Sequence, residues 1–219
     1  MRLLEIISEA QIDPGIKDVM QKKGYRHVGS GQDQDVYIAP DGGVLKIFGY
    51  GEREDDEDFS EGQQSFIDFA EFCMKRPNNP FLPKFSDWKQ FKFKGNMYLQ
   101  IKCERLFAFH ENNMPDVAHA LDWIVHLVST MDPNEAVGQF LYSYYDDNKY
   151  DNGEAAGKLI TLLGGEKNIK LFANTVEQLY QLAHRYGYDF DLHSDNFMLS
   201  SDGDIVINDP FSVGDFRHY

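Results

Sequence analysis

The stretch GYDFDLHSDNFMLSSDGDIVINDPF, Gly187–Phe211, gathers carboxylates, an amide and an imidazole between apolar runs. Asp191 and Asn196 lie five residues apart in a loop, and Asp209 follows 13 residues after Asn196. Between them, FMLS and DIVIN flank Ser201-Asp202-Gly203, a spacing that predicts a tight hairpin. The hairpin folds the chain back, so Asn196 at its entrance and Asp209 at its exit are expected side by side. An amide oxygen and a carboxylate together, with a second carboxylate near, suit a hard cation such as magnesium held jointly with phosphate oxygens.

The elements that must position these groups change character along the chain. The segment YRHVGSGQDQDVYIAPDGGVLKIFG alternates β-prone runs with turn residues, and Pro40-Asp41-Gly42-Gly43 predicts a hairpin between Val36–Ala39 and Val44–Phe48. The acidic run Gly51–Gly62 has little to bury and reads as a solvated loop. Phe66, Phe69, Ala70, Cys73 and Met74 recur at helical spacing, predicting an amphipathic helix over Gln63–Lys75. Two further strands are expected around Lys94-Gly95-Asn96. About five strands with one helix, from roughly Gly24 to Glu104, therefore make a small sheet. Helices are expected over Pro115–Ser129, Pro133 to about Tyr145, Glu154–Leu163 and Asn168–Tyr186, the last with Ile169, Phe172, Val176 and Leu179 on one face.

Composition narrows the function classes. The chain has 219 residues, 42% of them hydrophobic, enough for one ordinary domain or two small lobes. Twenty-one basic residues against 36 acidic ones give a net charge of −15, without a compensating basic stripe. Nucleic acid is therefore disfavoured as the main ligand, because phosphate contacts supply most of that affinity. The two cysteines, Cys73 and Cys103, lack metal-site spacing and suit a reducing compartment. With no secretory h-region and no apolar run of membrane-spanning length, the expectation is a cytoplasmic protein without a membrane partner.

Asp-Leu-x-x-x-Asn, a short hairpin and Asp-Pro-Phe together resemble the catalytic loop and metal-binding triplet of protein kinases and of kinase-like small-molecule phosphotransferases. Upstream, GSGQDQDV (Gly29–Val36) resembles the glycine-rich phosphate loop ending in its valine, and VLKIF puts Lys46 where the phosphate-binding lysine belongs. NPFLPKF is similar to the segment after the first-lobe helix, and YLQIKCERL to the fifth strand running into the hinge. The resemblance covers about Gly24 to Phe211. It implies an α+β, bilobal protein kinase-like fold in a single domain over 1–219. A small antiparallel β-sheet N-lobe with one helix would span about 20–105, and a truncated, mainly helical C-lobe 106–219.

The same resemblance assigns roles for a reaction using ATP and Mg2+. Asp191 would orient the attacking hydroxyl or accept its proton, and Asn196 and Asp209 would hold the metal. Lys46 would grip the α and β phosphates, Gly29 and Gly31 would let the backbone approach them, and Val36 would close that loop. The purine would sit at the hinge, Glu104–Leu106, and His193 would be a phosphate contact or a structural histidine. Three departures stand out: Gln34 replaces the third loop glycine, Asp189-Phe190 replaces the usual His-Arg, and only ten residues follow Asp209. The acid that should pair with Lys46 is Glu61, Glu71 or none, because hydrophobic phasing puts Gln63 at that place.

DLHSDNFMLSSDGDIVINDP is most similar to the late motif of small bacteriophage-encoded serine/threonine protein kinases. That implies a protein substrate, a host protein, modified in the host cytoplasm. Two alternatives stand beside it: a small-molecule kinase of the aminoglycoside or choline type, suggested by His193, and a pseudokinase that binds a partner protein, suggested by Gln34.

Overall fold

The computed structural model describes residues 12–30, 34–49, 61–109, 114–145 and 152–212. They form two compact units, one from the described residues up to Lys75 with Lys84–Arg105, the other from Arg76–Pro83 with the described residues from Leu106 on. The class is mixed α+β.

In the first unit, α1 (Pro14–Lys22) begins with Pro14 in its first turn and with the Asp13 carboxylate accepting the Gly15 N–H at 2.7 Å. β1 (Arg26–Ser30), β2 (Gln34–Ile38), β3 (Val44–Gly49), β4 (Phe85–Phe93) and β5 (Asn96–Cys103) pair antiparallel in the order β1-β2-β3-β5-β4. The β4–β5 turn has Lys94 at φ 48° and Gly95 at φ 96°, the two positive angles that a tight hairpin matching strand twist requires. α2 (Glu61–Met74) follows β3.

Alternation along the strands decides what each face meets. Leu45 and Ile47 pack with Tyr37 and Tyr98 against Ile16 and Met20 of α1. Phe48, Leu99 and Ile101 pack against Phe66 and Ile67 of α2. The sheet therefore carries a helix on each face, where the sequence reading assigned one. The additional helix is α1, whose buried stripe amounts to Ile16 and Met20 alone, too short for periodicity to reveal.

The second unit opens with β6 (Phe107–Ala108) and continues through α3 (Pro115–Thr130), α4 (Pro133–Tyr145), α5 (Asn152–Leu162) and α6 (Glu166–Tyr186). After α6 come β7 (Asp189–Phe190), β8 (Phe197–Leu199), β9 (Ile205–Ile207) and β10 (Phe211–Ser212). β6, β8 and β9 form one small sheet in that order, and β7 pairs with β10. Ile169, Phe172, Val176 and Leu179 of α6 are buried on one face, as their spacing predicts. Phe172 sits between Phe81 and Phe197, with ring centroids 5.3 and 6.0 Å away. The segment Arg76–Pro83 lies inside the sequence range assigned to the first lobe, yet it packs here. Asn79 Nδ2 donates to Thr175 Oγ1 at 2.8 Å, and the Phe81 carbonyl accepts the Ile207 N–H at 2.9 Å.

α6 stops at Gly187, which adopts the left-handed conformation at φ 77° and delivers the chain into β7. A Cβ there would touch nothing within 4 Å, so only backbone strain opposes substitution. Gly187→Ala is expected to lower stability by about 1 kcal/mol, read as a lower urea midpoint at unchanged slope. Among the described residues, no helix is long and apolar enough to cross a membrane.

Candidate active site

Two sets of backbone hydrogen bonds draw the late motif together within the second unit. β8 and β9 pair with Phe197 opposite Ile207, and one step outward the Asn208 N–H donates to the Asn196 carbonyl at 2.9 Å. β7 and β10 pair with Phe190 opposite Phe211, and the Asp191 N–H donates to the Pro210 carbonyl at 3.0 Å. Asp209 lies between these anchors, directly after the partner of Asn196 and directly before that of Asp191. The hairpin predicted around Ser201-Asp202-Gly203 is present, with Gly203 at φ 87°.

Inside the loop, the Asn196 side-chain Nδ2 donates to the Asp191 carbonyl, and the Asn196 N–H donates to the His193 carbonyl at 2.9 Å. With Nδ2 committed, Oδ1 is the end of the amide that can ligate. His193 is half-exposed, its Nε2 3.8 Å from Asp191 Oδ1 and its Nδ1 3.8 Å from Asp195 Oδ2. Ser194, at the start of the 3-10 turn Ser194–Asn196, is buried, and its N–H donates to Asp122 Oδ1 of α3 at 2.6 Å.

Asp122 was not singled out by sequence. It sits 72 residues from its partner, and nothing in a helical segment marks one exposed aspartate as a loop clamp. Removing its carboxylate takes away an acceptor from a buried N–H, a change that costs about 1–3 kcal/mol. Asp122→Ala is therefore expected to lower the melting temperature and to slow any reaction that depends on Asp191. Asp122→Asn, which keeps an oxygen at that place, should recover most of both.

The Asn208–Asn196 hydrogen bond brings the backbone of Asp209 next to that of Asn196, so an amide and a carboxylate stand at neighbouring chain positions. Among the described residues, no cluster of three or more His, Cys, Asp or Glu has the arrangement of a protein-only metal site. That donor set fits magnesium in its usual nucleotide-bound form, where one or two carboxylate-type ligands are completed by phosphate and water.

Of the other predicted groups that are described, Gly29, Val36 and Lys46 belong to the sheet of the first unit, Glu104 directly follows β5, and Leu106 begins the second unit. Lys46, half-buried on the central strand β3, stands opposite Val36 of β2 and Ile101 of β5. Its Nζ lies 4.4 Å from the Phe66 ring centroid, over α2. Glu71 is paired with Lys75 at 3.3 Å, one turn along the same helix. Gln63 is buried, and its Nε2 donates to the Gly49 carbonyl at the end of β3. The amide thus occupies the inward place on α2 that hydrophobic phasing assigned to it. Cys103 lies on the same face of the sheet, and burial pushes its thiol pKa up, only partly offset by the positive charge of Lys46.

Gly29 pairs with Val36, and a Cβ at Gly29 would touch nothing within 4 Å, so packing alone does not demand glycine there. Gly31 lies outside the described residues, as does most of the acidic run 52–61. β1 and β2, on either side of residues 31–33, are joined by a network that sequence reasoning did not identify. Asp35 accepts from Ser30 Oγ at 2.6 Å and from Tyr37 OH at 3.0 Å, with His27 Nε2 3.3 Å away. Glu104 has its own commitment: its N–H donates to the Lys84 carbonyl at 3.0 Å, and its Oε1 accepts the Lys84 N–H at 2.8 Å. The Glu104 N–H is therefore already used within the first unit.

No protein-family model matches this chain, and no curated protein matches it either.

Proposed function

We propose that the chain is an ATP-dependent, magnesium-requiring phosphotransferase acting on serine or threonine of a protein, and that its two units are the lobes of a kinase-like domain. The observation that carries this reading is the convergence of Asp191, Asn196 and Asp209, anchored by two strand pairings. Support also comes from Lys46 at the centre of the five-stranded sheet, beside Val36 and on the face that meets α2.

Asp191 accepts the proton of the acceptor hydroxyl as that oxygen attacks the γ-phosphorus. Asn196 holds the loop in register through the Asp191 carbonyl. Magnesium held by Asn196 and Asp209 would neutralise charge on the nucleotide phosphates. Lys46 contributes a fixed cation for the α and β phosphates. In this chemistry most of the rate comes from positioning and charge compensation rather than covalent steps. The similarity of the late motif to phage kinases points to a host protein as substrate.

A second reading is favoured by one observation: Gln63 holds the inward place on α2 where an acid would pair with Lys46, and Lys46 stacks on Phe66 instead. On that reading the chain binds a partner protein without transferring phosphate. Incubation with γ-labelled ATP and magnesium, with and without bacterial lysate, separates the two. Label on protein bands supports the kinase; label confined to small molecules identifies a small-molecule kinase. Absence of both transfer and nucleotide binding supports the binding module.

A further inference from the structure

Beside the loop that carries Asp191, wholly within the second unit, lies an open cleft of about 450 Å³ lined by α3, α6, β7 and the loop after it. Its apolar side is Val125, Tyr180, Phe190 and Leu192, with the Tyr180 and Phe190 rings edge-to-face at 5.4 Å. Its polar side is Asp122, His126, Ser129 and His193. No lysine or arginine is among the residues that line it.

We propose that this cleft is the acceptor-recognition site, and that it takes a lysine or arginine side chain of a peptide whose hydroxyl is presented to Asp191. The proposal rests on the phosphotransferase reading and adds to it the substrate class. An aliphatic stem fits the Val125 and Leu192 surface while its charged head stays at the polar rim. Tyr180 and Phe190 put two aromatic rings in the lining, groups that attract a cation, and Asp122 offers a carboxylate whose Oδ2 is not used by the bond to Ser194. His193, between Asp191 and Asp195, joins the cleft to the reacting group. A phosphate-bearing or acidic acceptor would find no lysine or arginine here, and the net charge of −15 would repel it.

The reaction at the bound peptide balances as a simple displacement. The acceptor oxygen forms a bond to the γ-phosphorus, the bond from that phosphorus to the β,γ-bridging oxygen breaks, ADP leaves, and the hydroxyl proton passes to Asp191.

The test measures binding apart from transfer. A fluorescent serine peptide flanked by arginine and lysine is titrated by anisotropy, beside the same peptide with glutamine at the basic positions. The basic peptide is expected to bind at least about tenfold more tightly. Introducing His126→Arg with Ser129→Arg should remove about tenfold of that affinity, because both substitutions place cations at the rim. Gln139→Arg with Thr161→Arg adds the same charge on α4 and α5, away from the lining, and should change affinity by less than about twofold. Equal affinity for the two peptides overturns the proposal, and so does an equal effect of the two double variants, which would reflect net charge alone. Protein labelling by ATP that proceeds without this preference removes the cleft's role and leaves the phosphotransferase standing. Localised peptide binding without any transfer removes the phosphotransferase reading and keeps the cleft as a cation-recognising surface.

Discussion

Asp191→Asn is expected to abolish phosphoryl transfer while leaving the fold and nucleotide binding intact. The residue is anchored by its backbone on both sides: its N–H donates to the Pro210 carbonyl and its carbonyl accepts from Asn196 Nδ2. Neither bond uses the carboxylate, which stands about half-exposed beside His193. Asparagine matches the side chain in size and leaves both anchors in place, so the melting temperature should hold. What disappears is the group able to take a proton, and loss of a general base costs about 10²–10⁴-fold in rate. The measurement is the initial rate of label transfer at saturating ATP, with nucleotide binding followed by thermal shift. Turnover at the wild-type rate would remove Asp191 from the reaction; loss of nucleotide binding as well would mean that it holds the metal rather than the acceptor.

The same geometry shows which parts of the molecule sequence could disclose. Elements defined by local chemistry were legible. Gly42 and Gly203 at φ 89° and 87° mark tight turns, and prolines open α3 and α4. The position of Gln63 on α2 was legible too, because a helix of 14 residues fixes its buried face by period. What could not be read were contacts made across the fold. β6, β7 and β10 are two residues long, and nothing local distinguishes them from loop. They exist because β6 finds β8, and β7 and β10 find each other, across the fold. Asp122 on Ser194, and Asp35 gathering Ser30 and Tyr37, likewise depend on strands and helices already being in place. Turns and helix faces were therefore visible in the sequence, whereas the long-range contacts that hold them in position were not.

A lysine that grips phosphates is normally held by a carboxylate, yet α2 presents Gln63 toward β3, and its amide is bonded to the Gly49 carbonyl. Lys46 is steadied instead by the Phe66 ring, which orients a cation without neutralising it.

Asp209→Asn separates metal binding from proton transfer, and here both nucleotide affinity and rate are expected to fall. Asp209 is flanked by the Asn208 N–H bonded to Asn196 and by the Pro210 carbonyl bonded to Asp191, so the backbone at 208–210 stays pinned when its side chain changes. The substitution keeps an oxygen but removes the negative charge, and magnesium depends on charged oxygen ligands. Nucleotide affinity measured with magnesium should drop by at least about tenfold, while the smaller affinity measured in chelator should be unchanged. Transfer should fall by more than about 10³-fold, since misplaced phosphates lose both orientation and charge compensation. Raising magnesium should recover part of the binding in Asp209→Asn and none of the rate in Asp191→Asn. If both variants respond to magnesium alike, the two carboxylates share one role, and the assignment of Asp191 to the acceptor and Asp209 to the metal fails.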